Sequence, residues 1–112
     1  MGTLFYGDAK FEMDDRLLAH LQIIVSMKLR RSESFFLSWA TTHHDGGGRT
    51  AIWVDNGVPI RLRFSGSRPP TINREWAETM ALAANSNLGL IISDEITLPE
   101  EVDIRAISET VG

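Results

Sequence analysis

An alternation of apolar and basic residues is the feature that most constrains what this chain can fold into. From position 60 the sequence reads Ile-Arg-Leu-Arg-Phe-Ser. Because successive side chains of a β-strand point to opposite faces, we expect Ile60, Leu62 and Phe64 to enter a core. Arg61 and Arg63 then stand together on the other face, so the segment predicts a strand with a cationic surface.

A proline corner follows this strand and leads to a helix. Pro69 and Pro70 end the strand, and Thr71 and Asn73 are residue types that cap helices. We predict a helix that begins near one of these two residues. Its buried stripe is expected to comprise Trp76, Met80, Ala83 and Ala84.

The N-terminal part of the chain predicts a hairpin and a long helix. Gly7-Asp8 is a turn-like pair between two short strand-like runs. Asp14 or Asp15 can then cap a helix of about four turns. The apolar residues at helical spacing are Leu17, Leu18, Leu21, Ile24, Val25 and Leu29.

Aromatic and β-branched residues in the middle of the chain predict strands at 34–40 and 50–54, joined by a glycine loop at 46–48. Asn56-Gly57 favours a type I′ turn, which would return the chain directly to the strand at 60–65. We therefore expect a three-stranded antiparallel meander.

The C-terminal part predicts a last strand and a tail. The second helix is expected to end near residues 85–87, and a strand to occupy 88–92. Thr97 and Glu100 have the spacing of a capping box and permit a short terminal helix, although the following residues also suit an extended segment.

The fold class predicted from these elements is α+β, in the order ββαβββα(βα). An antiparallel sheet with helices packed on one face is the expected architecture. We predict one domain at residues 1–93 and an acidic C-terminal tail at 94–112.

Composition places the chain among soluble globular proteins. It has 112 residues, 43% hydrophobic and 23% charged, which suits one domain. The absence of cysteine excludes disulfides and thiolate metal sites. We find no signal-peptide pattern and no apolar run near the roughly 20 residues that cross a bilayer. We predict a cytoplasmic protein with no membrane partner.

The net charge of −4 hides an uneven distribution. Positions 28–74 hold eight basic and three acidic residues, whereas 94–112 hold six acids and one arginine. The basic excess predicts a surface for an anionic partner, or one that attracts the acidic end within or between chains. The candidate nucleic-acid-binding residues are Lys28, Arg30, Arg31, Arg61, Arg63, Arg68 and Arg74.

Each basic group also has a purely structural interpretation. Lys28, Arg30 and Arg31 close the first helix, where cations meet the negative end of the helix dipole and gain about 0.3–1 kcal/mol. The arginines of the strand and the corner can be solvated, or can bond nearby carbonyls and carboxylates. The tryptophans favour core or interface positions over base stacking.

Other constellations do not point to chemistry. His43-His44-Asp45 lies in a glycine-rich loop, but adjacent residues point apart and no second ligand cluster follows. The run at 46–49 lacks the Gly-Lys-Ser/Thr ending of a phosphate-binding loop. His20 lies among helix-core leucines, which favours a structural role. We predict no catalytic residue, no metal and no cofactor.

Four segments carry a resemblance to a known family: Gly-Thr-Leu-Phe-Tyr-Gly from position 2, and the segments at 14–22, 28–36 and 65–76. They resemble a family of small uncharacterised actinobacterial proteins, some of which are labelled "ATP-dependent DNA ligase". The resemblance spans roughly residues 2–92 and implies relatives but no established activity.

The ligase label requires a lysine nucleophile within a Lys-x-Asp-Gly motif, beside a nucleotide pocket and metal-binding carboxylates. The chain has two lysines, Lys10 followed by Phe-Glu-Met and Lys28 followed by Leu-Arg-Arg, and neither fits. We predict no ligase activity, and that the protein is not an enzyme.

The function predicted from the sequence is a small non-enzymatic accessory module that associates with DNA or RNA through the arginine-rich strand and corner. The alternative is a protein-interaction module that forms a homo-oligomer or docks on a larger protein assembly, with no nucleic-acid role.

Overall fold

A computed structural model describes residues 1–40 and 47–92 of the chain. It confirms the α+β class and the order of the elements. The strands are β1 (Gly2–Tyr6), β2 (Ala9–Met13), β3 (Phe35–Ala40), β4 (Arg49–Val54), β5 (Ile60–Arg63) and β6 (Leu90–Ile91). The helices are α1 (Asp15–Arg30) and α2 (Arg74–Ala84). The predicted terminal helix and the acidic tail lie outside the described residues.

The first sheet has the strand order β2-β1-β5 and is antiparallel. The predicted hairpin between β1 and β2 is present, and Gly7 occupies its turn with φ +59°, a conformation that glycine adopts without steric cost. Along β5, Ile60 and Leu62 are half-buried while Arg61 and Arg63 are exposed, so the predicted alternation is confirmed.

The second sheet has the order β4-β3-β6. β3 and β4 are antiparallel as predicted, whereas β6 runs parallel to β3. The expectation of one antiparallel sheet is therefore wrong in two respects, because the described strands form two sheets and one strand pair is parallel.

The meander predicted from Asn56-Gly57 is also wrong, because β5 pairs with β1 of the first sheet and not with β4. A type I′ turn needs positive φ at both central residues. Neither Asn56 nor Gly57 has a positive φ. The segment after β4 thus lacks the backbone twist that folds a strand back on its neighbour.

Side chains from other elements hold this turn instead. Asp55 accepts hydrogen bonds from the Ser34 hydroxyl at 2.6 Å and the Gly57 backbone amide at 2.9 Å, which hold the pKa of its carboxyl below the usual 3.8. The Tyr6 hydroxyl accepts from the Asp55 amide at 3.0 Å and donates to the carbonyl of Trp53. Because Tyr6 ends β1, these bonds join the end of β4 to the first sheet.

Both helices and both sheets contribute side chains to one hydrophobic core. α1 packs against β1, and α2 packs against β3 and β6. Asp14 caps α1 by accepting from the Arg16 amide, and Asn73 caps α2 by accepting from the Trp76 amide. The most buried side chains are Leu4, Leu18, Leu21, Ile24, Leu37, Met80, Leu90, His20 and Val54. No helix in the described part of the chain is long and apolar enough to cross a membrane.

The end of α1 carries local strain at Ser32. The amide of Ser32 donates to the Leu29 carbonyl at 3.1 Å, and that of Glu33 to the Lys28 carbonyl at 2.9 Å, the bond pattern of a Schellman cap. This cap places Ser32 in the left-handed region, with φ +57°, where glycine is favoured.

Ser32→Gly should therefore raise the free energy of unfolding, by about 0.5–1 kcal/mol, since relief of left-handed strain exceeds the added freedom of the unfolded chain. Urea denaturation measures the change. Ser26→Gly, an exposed position inside α1, is the matched control and should lower the same quantity by about 0.5 kcal/mol. A destabilised Ser32→Gly variant would contradict this description of the cap.

Candidate nucleic-acid interface

The outer face of the first sheet collects basic side chains from two strands. The register places Phe5 between Lys10 on β2 and Arg61 on β5. Two residues earlier on β1, and therefore on the same face of the sheet, Thr3 lies between Glu12 on β2 and Arg63 on β5. We call the face formed by Lys10, Phe5, Arg61, Thr3, Arg63 and Glu12 the sheet face. It carries three cations and one carboxylate, and all four charged side chains are exposed.

Arg61 is ordered by an aromatic ring on this face. Its guanidinium carbon lies 4.2 Å from the centroid of Phe5, a cation–π contact. The ring is half-buried on the central strand, so it holds the guanidinium over the sheet. Arg61 and Arg63 are two residues apart on one strand, which separates their Cα atoms by about 7 Å.

The segment after β5 is anchored by an acid of α1. Asp15 accepts hydrogen bonds from the backbone amides of Ser65 at 3.0 Å and Gly66 at 2.9 Å. These two bonds hold the pKa of Asp15 below the usual 3.8. The carboxylate thus fixes the path of the chain from Arg63 toward the proline corner.

Arg68 lines a small hollow beyond this anchor. The hollow has a volume of about 210 Å³ and is walled by Phe64, Pro69, Pro70 and, on α1, Ala19 and Gln22. Arg68 is exposed and has no hydrogen bond or ion pair with another described residue. The structure thus places Arg68 at the proline corner, beside α1.

Lys28 occupies a structural position. It is 6% exposed, and its Nζ donates to Oδ1 of Asn85 at 2.7 Å and to Oε1 of Glu33 at 3.3 Å. Asn85 is the C-cap of α2, so Lys28 connects the last turn of α1 to the end of the other helix. Lys28 therefore contributes no free charge to the surface, and we leave it out of the candidate interface.

The other three candidates lie on the helix side of the molecule. Arg30 and Arg31 line a hollow of about 560 Å³ together with Ile23 and Met27 of α1. Arg74, at the start of α2, lines an adjoining hollow of about 320 Å³ that also includes Ile23 and Met27. The structure thus separates these three arginines from Arg61 and Arg63 of the sheet face.

The three tryptophans differ in their surroundings. Trp76 is 4% exposed and Trp39 packs edge-on against Phe11 at 5.0 Å, so both belong to the core, as predicted. Trp53 is 51% exposed and packs edge-on against Phe36, itself 45% exposed, at 4.9 Å. Trp53 is thus the tryptophan most accessible to a partner.

His20 is a buried structural residue, as predicted, with no exposed surface. Its Nε2 accepts from the Asn73 amide at 2.8 Å, so its Nδ1 carries the proton that is donated to the Arg16 carbonyl at 2.7 Å. Its ring lies 4.5 Å from that of Trp76. Both ring nitrogens are engaged, which leaves neither for catalysis.

The structure adds no metal centre among the residues it describes, where no group of three or more potential ligands is found. The predicted loop residues His43, His44 and Asp45 lie outside the described residues.

Sequence reasoning missed Lys10 and Phe5, because their place on the sheet face depends on which strand lies beside β5. It also missed the burial of Lys28, although a signal existed. Lys28 follows Leu21 and Ile24 at helical spacing, which puts it on the buried stripe of α1.

Lys28→Met should lower the free energy of unfolding by about 1–3 kcal/mol, because it leaves the Asn85 amide oxygen without its charged donor. Arg30→Met, close by in the last turn of α1 and exposed, is the control and should change stability by less than about 0.5 kcal/mol. Urea denaturation compares the two. Equal stabilities of wild type and Lys28→Met would show that the lysine bridge does not stabilise the helix pair.

Asp15→Asn should destabilise the protein at neutral pH, since the amide is a weaker acceptor for the Ser65 and Gly66 amides. A carboxyl with a lowered folded-state pKa stabilises the fold above its unfolded pKa, and this contribution is lost as pH falls through the folded value. The stability difference between wild type and variant should therefore shrink below about pH 4.

The measurement is urea denaturation at a series of pH values, with Asp8→Asn as the control. Asp8 lies in the exposed β1–β2 turn and has no hydrogen bond to another described residue. A difference between wild type and Asp15→Asn that stays constant with pH would refute the role assigned to the carboxylate.

Comparison with known proteins gives a family but no activity. A family model described as "Domain of unknown function (DUF7882)" matches residues 1–95, which include all of the described elements. No curated protein and no solved structure matches the chain. The chain therefore belongs to the uncharacterised DUF7882 domain family.

Proposed function

We propose that this protein is a non-enzymatic accessory module that binds single-stranded DNA or RNA through the sheet face. The observation that carries the proposal is the row formed by Lys10, Phe5 and Arg61, with Arg63 beside it. It combines exposed cations with an aromatic ring on one side of a small sheet.

The chemistry of this face suits a nucleic-acid backbone. Guanidinium groups bind phosphate oxygens through paired N–H donors, and Arg61 is already held by the Phe5 ring. Preordering of this kind reduces the side-chain entropy that binding removes. Two arginines about 7 Å apart along a strand can contact two phosphates of one backbone, with Lys10 as a third contact.

Single strands fit this face better than a duplex. Because the Arg61 guanidinium lies over the Phe5 ring, unstacked bases can stack on this exposed guanidinium, as they do on arginine planes in single-strand-binding proteins. Reading a duplex in its major groove requires a protruding helix or a two-stranded ribbon. The sheet face is three strands wide, and both described helices pack against the inner side of the fold.

The proposed role is accessory binding, without ligase chemistry. Some of the actinobacterial proteins that the chain resembles carry a ligase label. Lys28, one of the two lysines, is buried in a bridge between helices, and Lys10 lies on an open sheet surface. Neither position offers the enclosed nucleotide pocket that lysine adenylation needs.

The second candidate function is self-assembly, and the outer face of the second sheet favours it. Phe36, Trp53 and Ile91 are 45%, 51% and 45% exposed. The register puts Phe36 opposite Trp53, and Ile91 beside Ser38 in the same sheet. An exposed apolar surface of this kind is typical of contacts between proteins.

The test is fluorescence anisotropy of labelled single-stranded DNA, single-stranded RNA and duplex DNA over a salt series, with light scattering on the same samples. We expect micromolar, salt-dependent binding of single strands that is stronger than binding of the duplex. Replacing both Arg61 and Arg63 by alanine should reduce the slope of log Kobs against log salt by about 1.4, because each neutralised phosphate of a single strand accounts for about 0.7 of that slope.

Two matched variants make the result specific. Arg61→Lys with Arg63→Lys keeps both charges and should keep most of the slope, whereas Arg30→Ala with Arg31→Ala removes two charges elsewhere and should leave it unchanged. No binding at low salt, or an equal reduction of the slope in both alanine pairs, would refute the proposal. No binding together with a dimer in light scattering would favour self-assembly.

A further inference from the structure

A groove on the helix side of the molecule combines an apolar floor with a basic rim. Its floor comes from both helices and the segment before α2, and consists of Ile23, Met27, Ile72, Ala77 and Ala81. Its rim carries Arg30, Arg31 and Arg74, and Glu78 is the one acid among the described residues that line either hollow. We call this surface the helix groove.

The floor of the helix groove is not covered by any described part of the chain. Ile23 and Ile72 are each 41% exposed, and Leu82, one turn after Glu78 on α2, is 74% exposed. The two hollows have volumes of about 320 and 560 Å³. They share Ile23 and Met27, so they form one continuous depression. An exposed apolar surface with a charged rim is the usual form of a docking site.

The rim arginines are free to meet an anionic partner. Arg30, Arg31 and Arg74 are exposed, and none of them forms an ion pair with another described residue. Three cations against one carboxylate give the groove a positive potential, which selects an acidic occupant.

We propose that the occupant is this chain's own C-terminal segment, residues 94–112, which docks in the helix groove of the same molecule. The segment combines the two properties that the groove requires. It carries six acids and one arginine, for the rim. It also carries aliphatic residues for the floor, namely Ile96, Leu98, Val102, Ile104 and Ile107.

The segment can reach the groove. It follows β6, which packs against α2, one of the two helices that form the groove. The 12 residues that follow Ile92, up to Ile104, span up to about 40 Å when extended, whereas α1, with 16 residues, is about 24 Å long. The segment is therefore longer than the helix that forms one wall of the groove.

The sheet face is a poorer site for this segment. It offers cations, but its apolar side chain is a single half-buried ring, Phe5, already covered by Arg61. Five aliphatic side chains would stay in water there, whereas the helix groove buries them. This inference does not rest on the proposed function, since the two surfaces use different arginines.

Paramagnetic relaxation in the full-length protein tests the docking. The chain has no cysteine, so Ala106→Cys gives a single attachment site for a nitroxide label. With the paramagnetic label, we expect the methyl signals of Ile23, Met27 and Ile72 to fall to a small fraction of the intensity that they have once the label is reduced. Thr3 and Ala51, on the outer faces of the two sheets, are the internal controls and should keep their intensity.

A charge-reversed pair distinguishes docking from chance proximity. Adding Arg30→Glu and Arg31→Glu should restore most of the intensity of the groove methyls, because the rim then repels the acidic segment. Arg61→Glu with Arg63→Glu is the matched control and should leave the broadening unchanged. Circular dichroism and the control methyl signals verify that each variant is folded.

Three results would overturn the proposal. One is full intensity of the groove methyls in the labelled protein. Another is stronger broadening of Thr3 than of Ile23. The third is broadening in a mixture of two samples, one that carries the nitroxide at natural isotope abundance and one that is isotopically labelled but carries no nitroxide. That result would place the segment on a second copy of the chain.

Discussion

The arrangement of the two helices depends on two buried polar side chains of α1. His20 accepts a hydrogen bond from the amide of Asn73, the N-cap of α2, and Lys28 donates one to Asn85, the C-cap. Lys28 follows His20 by eight positions, which is a rise of about 12 Å along the helix. Because the two contacts follow the same order along both helices, α1 and α2 run in the same direction. Partly buried hydrogen bonds at both ends of α2 thus fix its position where apolar packing alone would allow it to slide.

This constraint decides which cations are free. Lys28 is used to hold α2, so it leaves the surface, while Arg30 and Arg31 just after it remain exposed beside the groove between the helices. Arg61 and Arg63 belong to β5, which lies in the first sheet. The hydrogen bonds between Tyr6 and the end of β4 direct β5 into that sheet. Five of the basic residues between positions 28 and 74 therefore lie on two separate surfaces, Arg61 and Arg63 on one and Arg30, Arg31 and Arg74 on the other. One has an aromatic ring and suits phosphates and bases, whereas the other has an apolar floor and suits an acidic amphipathic segment.

Local patterns in the sequence predicted most elements but not how the strands pair. Local patterns could be predicted from the sequence. They include the alternation at β5, the helix caps at Asp14 and Asn73 and the apolar stripe of α1. The pairing of β5 depends on Tyr6 and Ser34, which are far from Asn56-Gly57 in sequence, so turn chemistry alone predicted the wrong hairpin. The prediction of the candidate site was incomplete for the same reason. Arg61 and Arg63 were correctly placed on one face, but their neighbours Phe5 and Lys10 follow from the β1–β5 pairing, which no single-strand pattern encodes.

The most direct test of the central claim, that the basic residues form two surfaces of which the sheet face binds nucleic acid, is chemical-shift mapping of the full-length protein. A short single-stranded oligonucleotide is titrated into isotopically labelled protein at low salt. Our account predicts that the largest shifts fall on Thr3, Phe5, Lys10, Arg61 and Arg63, and that Arg30 and Arg31 move little. Shifts centred on the helix groove, or spread evenly over all exposed arginines, would contradict it.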